Sequence, residues 1–142
     1  MENQLVPYSA VLHIEGSRSL VLAPHPDDEV FGCGGAIMRH VANGDFVHVV
    51  IVTDGTLGVP ESRNTESKMI RREESNSAAD RLGYGRPEFW GLQDRGLVYG
   101  EQLVQRIENA IDAFAPDLVY APSVHEMHPD HRVLAMATLE AV

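Results

Sequence analysis

Cysteine is almost absent from this sequence, since Cys33 is the only one among 142 residues. A single cysteine excludes an internal disulfide framework and is compatible with a reducing compartment. Basic residues are also scarce: 11 Lys and Arg stand against 21 Asp and Glu, which gives a formal net charge of −10. Because proteins neutralise nucleic-acid phosphates with clustered Lys and Arg, this balance predicts no nucleic-acid partner.

Long apolar segments and targeting signals are missing as well. No stretch approaches the roughly 18 apolar residues that a membrane-spanning helix requires. The first ten residues, MENQLVPYSA, lack a basic segment followed by an apolar run, so they do not predict a secretory signal. No internal repeat, low-complexity tract or Ser/Gly-rich linker interrupts the chain. These absences predict a single cytoplasmic domain over residues 1–142, which is long enough to bury a core.

Short apolar runs alternate with amphipathic segments along the chain. The runs are rich in Val, Leu and Ile, which is typical of parallel strands buried on both faces. Strands are predicted over 19–24, 46–53 and 117–122, with a weaker candidate at 88–92. Helices are predicted over 35–44, 65–85, 101–114 and 129–142. This order predicts an α/β protein, a Rossmann-like three-layer domain with a mostly parallel sheet. The last helix ends without a cap or polar tail, so we expect a fragment or a minimal domain, truncated at its C-terminus.

Two expectations concern local packing. In the charged helix predicted over 65–85, an inner apolar stripe is expected from Met69, Ile70, Ala78, Ala79 and Leu82. The glycine-rich segment 32–35, GCGG, does not match a dinucleotide-binding fingerprint. We expect these glycines to allow close packing of a helix on a strand. Cys33 within them is expected to be an inert thiol, with a nucleophilic role as the alternative.

Three polar segments follow predicted strands: PHPDDE at 24–29, TDGTLG at 53–58 and VHEMHPDHR at 124–132. In open parallel sheets, ligands bind in the crevice beyond the carboxyl ends of the strands. The first and last segments are rich in histidine and acids. We therefore expect them to meet in space, although they lie at opposite ends of the chain.

These two segments together predict a metal site. Catalytic Zn²⁺ takes three ligands from histidines and carboxylates and leaves one position for water. His25 and Asp28, three residues apart around a turn, can face one point, and His131 could supply the third ligand. Asp27 could then accept a proton from the water, which leaves Glu29 for a supporting hydrogen bond.

The second His-Pro-Asp unit offers a further histidine. His128 can face a substrate carbonyl and stabilise an oxyanion while Asp130 orients and charges its ring. The alternative for each segment alone is a solvated loop or a helix cap. Two such units at two strand ends favour the metal site. For His125, a loop or capping role fits the sequence as well as a functional one.

Four elements in this order resemble the PIG-L/LmbE family of zinc-dependent N-deacetylases. They are the HPDDE turn with trailing glycines, the pattern R-x-x-E-x-x-x-A-A-x-x-L-G from Arg71 to Gly83, the LQDRGL segment and HPDHR. The resemblance covers residues 20–142. Family domains usually continue well past the last helix of this chain.

The resemblance implies a role for each matching residue. His25, Asp28 and His131 are expected to bind one Zn²⁺ per chain, with Asp27 as the general base. His128, held by Asp130, is expected to polarise the amide carbonyl. Arg71, with Arg72 as a fallback, and Asp94 are expected to contact the substrate. The alternative for the two arginines is a solvated helix face.

The function implied is a zinc hydrolase that removes an N-acetyl group from an N-acetylglucosamine-type amino sugar or related N-acyl substrate. Its partner would be a small N-acetylated sugar or glycoconjugate. The alternative is a non-catalytic metal-binding or interaction module on the same fold. A nucleotide-binding domain is disfavoured because acids at the first strand end would repel a pyrophosphate. An exposed sheet edge could also invite homo-oligomerisation.

Overall fold

A computed structural model describes residues 15–142 of the chain. The first fourteen residues, where the sequence predicts no secretory signal, lie outside the described residues. Strands and helices alternate strictly, as the apolar runs predict. They are β1 (Arg18–Ala23), α1 (Asp28–Asn43), β2 (Phe46–Thr53), α2 (Glu61–Leu82), β3 (Glu88–Leu92), α3 (Glu101–Phe114), β4 (Leu118–Tyr120) and α4 (Pro129–Ala141). No helix within residues 15–142 has both the length and the hydropathy needed to cross a bilayer.

The four strands form one parallel sheet in the order β3-β2-β1-β4. In the register of the central strands, Leu20 of β1 pairs with His48 of β2 on one side and Val119 of β4 on the other. Because all strands run in one direction, their carboxyl ends lie along a single edge. The polar segments that follow them are thereby brought together at that edge.

Both faces of the sheet are buried, which confirms the three-layer α/β prediction. Successive side chains of a strand point to opposite faces. Leu20 and Leu22 therefore pack with residues of α3 and α4, such as Ile107 and Leu134. On the other face, Val21 and Ala23 pack with residues of α1 and α2, such as Ile37 and Ala79.

Helix α1 begins at Asp28, seven residues before the predicted start. The acidic segment is therefore the first helical turn, where Asp28 and Glu29 interact favourably with the positive end of the helix dipole. The expected close packing at the glycines is wrong. A Cβ built at Gly32 or Gly35 meets nothing within 4 Å, and one at Gly34 meets only Val30 Cγ1 at 3.8 Å.

The stripe expected on α2 is wrong in its first half. Met69 and Ile70 are 67% and 51% exposed, whereas Ser75 and Ala79 are buried. The inward positions recur at helical spacing from residue 71 through 75, 78, 79 and 82, and residues 69 and 70 lie off this line. The helix ends at Leu82 because Gly83 adopts a left-handed conformation with φ 81°.

Strand β4 is shorter than predicted, with three residues instead of six. The ladder to β1 ends at Tyr120. Two residues further on, Pro122 has no backbone N–H to donate to a neighbouring strand. The segment from 121 to α4 is thus free to turn over the sheet edge.

Candidate metal and active site

Two distant segments meet at the carboxyl edge of the sheet, around the carboxylate of Asp28. Asp28 Oδ2 lies 3.1 Å from His25 Nδ1 and 3.1 Å from His131 Nε2. The backbone N–H of His25 also donates to this oxygen, at 3.0 Å. His25 follows β1 and His131 lies in the first turn of α4. The three side chains that the sequence predicts as metal ligands are therefore neighbours in the structure.

The second ring nitrogen of His25 faces two other carboxylates. His25 Nε2 lies 3.1 Å from Asp130 Oδ2 and 3.3 Å from Asp94 Oδ1. Asp130 is 1% exposed and accepts backbone N–H bonds from Arg95 at 2.7 Å and Leu97 at 3.3 Å. These contacts fix the orientation of the His25 ring.

The structure differs from the sequence-based expectation at Asp130. Its carboxylate forms its short contact with His25, and not with His128. His128 is the N-cap of α4, and its Nδ1 accepts a bond from the backbone N–H of Asp130 at 3.3 Å. The Asp130 side chain is directed at the end of β1, where His25 lies.

Two overlapping donor sets could hold a metal ion. Ligand atoms of His25, His128 and His131 lie within 4.8 Å of one another, as do those of His25, Asp94, His128 and Asp130. Asp28 Oδ2 lies between His25 and His131, and these three supply the two imidazoles and one carboxylate typical of catalytic zinc. His25 would then bind through Nδ1 while Nε2 donates to Asp130, an arrangement common for metal-bound histidines.

The second set fits a metal less well because Asp130 is 1% exposed and both of its carboxylate oxygens already accept backbone N–H bonds, whereas Asp28 is only half-buried. Asp130 accepts two backbone N–H bonds, and Asp94 Oδ2 accepts one from Leu57 at 3.0 Å. The donor chemistry therefore favours the set of His25, Asp28 and His131.

Asp27 adopts an unusual backbone conformation, with φ 100° and ψ −25°. Glu29, which is fully buried, accepts the Asp27 N–H through Oε2 at 2.9 Å. Arg71 Nη1 donates to the Pro26 carbonyl at 3.1 Å and lies 3.9 Å from Asp27 Oδ2. These contacts hold a strained turn that leaves the Asp27 carboxylate exposed beside the cluster.

The charges of the cluster shift the pKa values of its members. Burial raises the pKa of Asp27, and the charge of Asp28 raises it further against the opposing effect of Arg71. Burial alone would raise the pKa of Asp28, but the hydrogen bond from His25 and the charge of His131 bring it below its ordinary value. Burial lowers the pKa of His128, and the nearby His25 adds to this effect. The pKa of Asp27 is thus raised while that of the adjacent Asp28 is lowered.

A cavity of about 220 Å³ opens beside the cluster. It brings together the predicted base, the predicted oxyanion histidine and the two predicted substrate contacts. Its walls are His25, Asp27, Gly55, Leu57, Arg71, Asp94 and His128. Arg71 lines the cavity, whereas the guanidinium of Arg72 packs over the Phe89 ring at 4.6 Å. The geometry therefore favours Arg71 over its fallback.

The loop after β2 contributes residues to which the sequence had assigned no role. Leu57 N–H bonds the Asp94 carboxylate, and Asp54 Oδ1 accepts bonds from the hydroxyl of Thr56 at 2.9 Å and the backbone N–H of Asp94 at 3.4 Å. Lys68 Nζ lies 2.8 Å from Asp54 Oδ2. The only signal in the sequence was the position of TDGTLG at a strand end.

Two residues with open roles lie away from the cavity. His125 is exposed on the loop before α4, and its backbone N–H bonds Ser123 Oγ at 3.2 Å. Burial raises the pKa of the Cys33 thiol, and the charges of Asp28 and Glu29 raise it further. A raised pKa disfavours the reactive thiolate, as expected for an inert cysteine.

Three known proteins illustrate what the chain is similar to. Diacetylchitobiose deacetylase of Thermococcus kodakarensis is 31% identical over 130 residues, which cover 88% of this chain and 49% of the relative. The structure of N,N'-diacetylchitobiose deacetylase from Pyrococcus horikoshii, complexed with its inhibitor MPG, has a TM-score of 0.83 and 32% identity, covering 89% of this chain and 49% of that one. The chain thus spans about half the length of these relatives.

The third similar protein has a different reaction in its name. It is GalB, the 4-carboxy-2-hydroxymuconate hydratase of Pseudomonas putida, with a TM-score of 0.78 and 26% identity, covering 88% of this chain and 55% of that one. The model of the family described as GlcNAc-PI de-N-acetylase, PIG-L, matches residues 20–142. With nearly all of the described residues inside that match, the chain belongs to the PIG-L family, as its two His-Pro-Asp segments predict.

Proposed function

We propose that this chain carries the catalytic site of a zinc-dependent N-deacetylase acting on an N-acetylated amino sugar. The observation that carries the proposal is the position of Asp28 Oδ2, 3.1 Å from a nitrogen of both His25 and His131, beside a cavity lined by Asp27 and His128. The family and the named deacetylase relatives support the reaction class and the sugar substrate.

His25, Asp28 and His131 would hold one zinc ion per chain. When bound, zinc supplies Lewis-acid polarisation of an amide carbonyl and lowers the pKa of bound water to about 7. Asp130 keeps the His25 ring turned toward Asp28 by contacting its other nitrogen.

The side chains that line the cavity carry out proton transfer, stabilise the carbonyl oxygen and bind the substrate. Asp27 accepts a proton from the attacking water, since its carboxylate is exposed there and its pKa is raised. His128 donates a hydrogen bond to the carbonyl oxygen as negative charge develops on it. Arg71 and Asp94, on the cavity wall, bind hydroxyl groups of the sugar.

A hydratase reaction is the second candidate, because of the likeness to GalB. The name of that protein indicates a substrate with a carboxylate group. The deacetylase is the first candidate because the matching family model and the relatives that are 31% and 32% identical are named for deacetylation, whereas GalB is 26% identical.

The test measures zinc content and acetate release together. Purified protein is analysed for zinc per chain and assayed with N-acetylglucosamine and its glycosides. We expect about one zinc and acetate release in the wild type, and retained zinc with a loss of activity of at least about a hundredfold in Asp27→Asn. His25→Ala is expected to lose both.

Each other outcome has a defined meaning. Zinc binding without acetate release would contradict the deacetylase proposal and support the alternative, a non-catalytic metal-binding module on the same fold. Unchanged activity in Asp27→Asn would exclude Asp27 as the base. Hydration of an unsaturated dicarboxylate without acetate release would assign the second candidate.

A further inference from the structure

A second cavity adjoins the candidate active site, between the first turn of α1 and the middle of α2. Its volume is about 330 Å³ and its lining is mostly apolar. We call it the side groove. Pro26, Val30, Phe31, Arg71, Ser75 and Ala78 line it, together with the acids Asp27, Glu29 and Glu74.

The side groove is continuous with the catalytic cavity, because Asp27 and Arg71 line both. Arg71 is held in this position by its bond to the Pro26 carbonyl. A ligand whose acetamide group lies near Asp27 can therefore extend across Arg71 into the groove. If the sugar ring lies in the catalytic cavity, the group attached to the sugar can extend past Arg71 into the side groove.

The apolar part of the groove has an exposed aromatic ring as its rim. Phe31 is 85% exposed, although it lies on a helix with a well-buried inner face. Val30 and Ala78 are half-buried on either side. An apolar group placed here would remove the ring of Phe31 from water, which is favourable in proportion to the area buried.

The charges around the groove select against an anionic occupant. Asp27 and the exposed Glu74 face it with only Arg71 as a counter-charge. A phosphate or carboxylate there would meet more negative than positive charge.

We infer that the side groove is a subsite for a neutral, apolar aglycone attached to the N-acetylated sugar. The inference rests on the proposed function, since it assigns the part of the substrate that does not react. It predicts that the protein prefers aryl or alkyl glycosides over free N-acetylglucosamine and over its phosphates.

The experiment compares glycosides that differ only in the aglycone. Acetate release is measured with phenyl and methyl N-acetylglucosaminides, in both anomers, and with N-acetylglucosamine 1-phosphate. For the wild type we expect kcat/KM to be roughly tenfold higher with the better phenyl anomer than with the methyl glycoside. The phosphate is expected to be no better than the methyl glycoside.

Variants then assign the preference to the groove. Phe31→Ala removes the rim, and Ala78→Leu fills the space between the helices. Both are expected to bring kcat/KM for the phenyl glycoside close to the methyl value while the methyl value stays unchanged. Met38→Ala is the matched control, because Met38 is 57% exposed on the same helix and does not line the groove.

The outcomes separate this inference from the proposed function. Equal kcat/KM for phenyl and methyl glycosides in the wild type would overturn the subsite, as would an equal loss on both in Phe31→Ala. If no glycoside releases acetate, the proposed function fails instead. Calorimetric titration with phenyl glucosaminide, the deacetylated product, then tests the groove without turnover: binding that Phe31→Ala abolishes supports it, and no binding overturns it.

Discussion

Gly55 shows how one residue without a side chain positions two others. Its φ is 60°, and a Cβ built on it would lie 2.8 Å from Pro26 Cδ and 3.0 Å from Arg71 Nη1. The loop after β2 can therefore approach the turn before α1 only if residue 55 is glycine. That approach brings Arg71 and the backbone beside Asp27 together.

Replacing this glycine is expected to lower the stability of the protein. We predict that Gly55→Ala lowers the free energy of unfolding by about 2 kcal/mol, because it adds a clash with the rigid ring of Pro26 to the cost of a left-handed conformation. Gly58→Ala is the control, since Gly58 has φ 80° but a Cβ there meets nothing within 4 Å. Urea unfolding measures both, and equal losses would contradict the clash.

Single substitutions can also distinguish which carboxylate binds the metal ion. We predict that Asp28→Ala lowers zinc affinity by more than about a hundredfold, beyond the range typical of residues that only hydrogen-bond a ligand. Asp94→Ala is predicted to lower it by about tenfold to a hundredfold, because Asp94 contacts His25 Nε2 without belonging to the favoured donor set. Competition with a chromogenic chelator measures both. The reverse order would assign the ion to His25 Nε2 with Asp94 and Asp130.

At the level of elements, polar side chains add hydrogen bonds between segments that the sheet and the core also join. Asp117, just before β4, accepts bonds through Oδ2 from the Ser17 N–H at 2.9 Å, the Ser17 hydroxyl at 3.1 Å and the Arg18 N–H at 3.1 Å. His40 on α1 bridges Asp45 and Tyr120, at 2.9 Å from each. Neither Asp117 nor His40 has a role that the sequence pattern predicts.

The link at Asp117 makes stability depend on pH. The bonds from the Ser17 N–H and hydroxyl lower the pKa of Asp117 below its ordinary 3.8. A carboxyl whose pKa is lower in the folded state stabilises the protein above its unfolded pKa and loses this effect as the pH falls. We predict that Asp117→Ala lowers Tm above about pH 5, with a difference that shrinks below about pH 4.

Asp112 offers a matched control for this prediction, since it is an exposed acid on α3. Asp112→Ala is expected to leave Tm nearly unchanged across the same pH range. A Tm difference for Asp117→Ala that stays constant from neutral pH to pH 3 would contradict the role of the charge. A Tm difference that does not change with pH would instead assign the effect of Asp117→Ala to packing.

For the whole molecule, the candidate metal site joins the two ends of the described chain. His25 and Asp28 lie at the start of α1, and His131 lies at the start of α4, on neighbouring strand ends. An ion bound by all three would favour the folded state over an unfolded chain, in which these residues are far apart.

We predict that zinc raises the free energy of unfolding by about 2.7 kcal/mol at a free concentration one hundred times its Kd. A chelator is expected to reverse the gain. His25→Ala should unfold at the same temperature with or without zinc, since it lacks one ligand. Thermal unfolding at constant protein concentration measures this, and zinc-dependent stability in His25→Ala would contradict the assigned ligand.

Local composition was sufficient for much of the architecture. The Val- and Leu-rich runs are typical of strands in a parallel sheet covered by helices, and their alternation with amphipathic segments predicted the α/β class and three of the four strands. The His-Pro-Asp segments likewise marked the strand ends where ligands bind. The start of α1 was missed because glycines at 32, 34 and 35 have low helix propensity, and packing against the sheet overrides it.

The partners of individual side chains required the folded molecule. Three features depend on segments far apart in the chain: the hydrogen bond between the Asp130 carboxylate and His25, the position of Gly55 against Pro26, and the groove between α1 and α2. Residue types and spacing specify which groups are present and on which element they lie. Distances between elements arise only when the core packs, because packing sets the positions of helices and loops relative to the sheet.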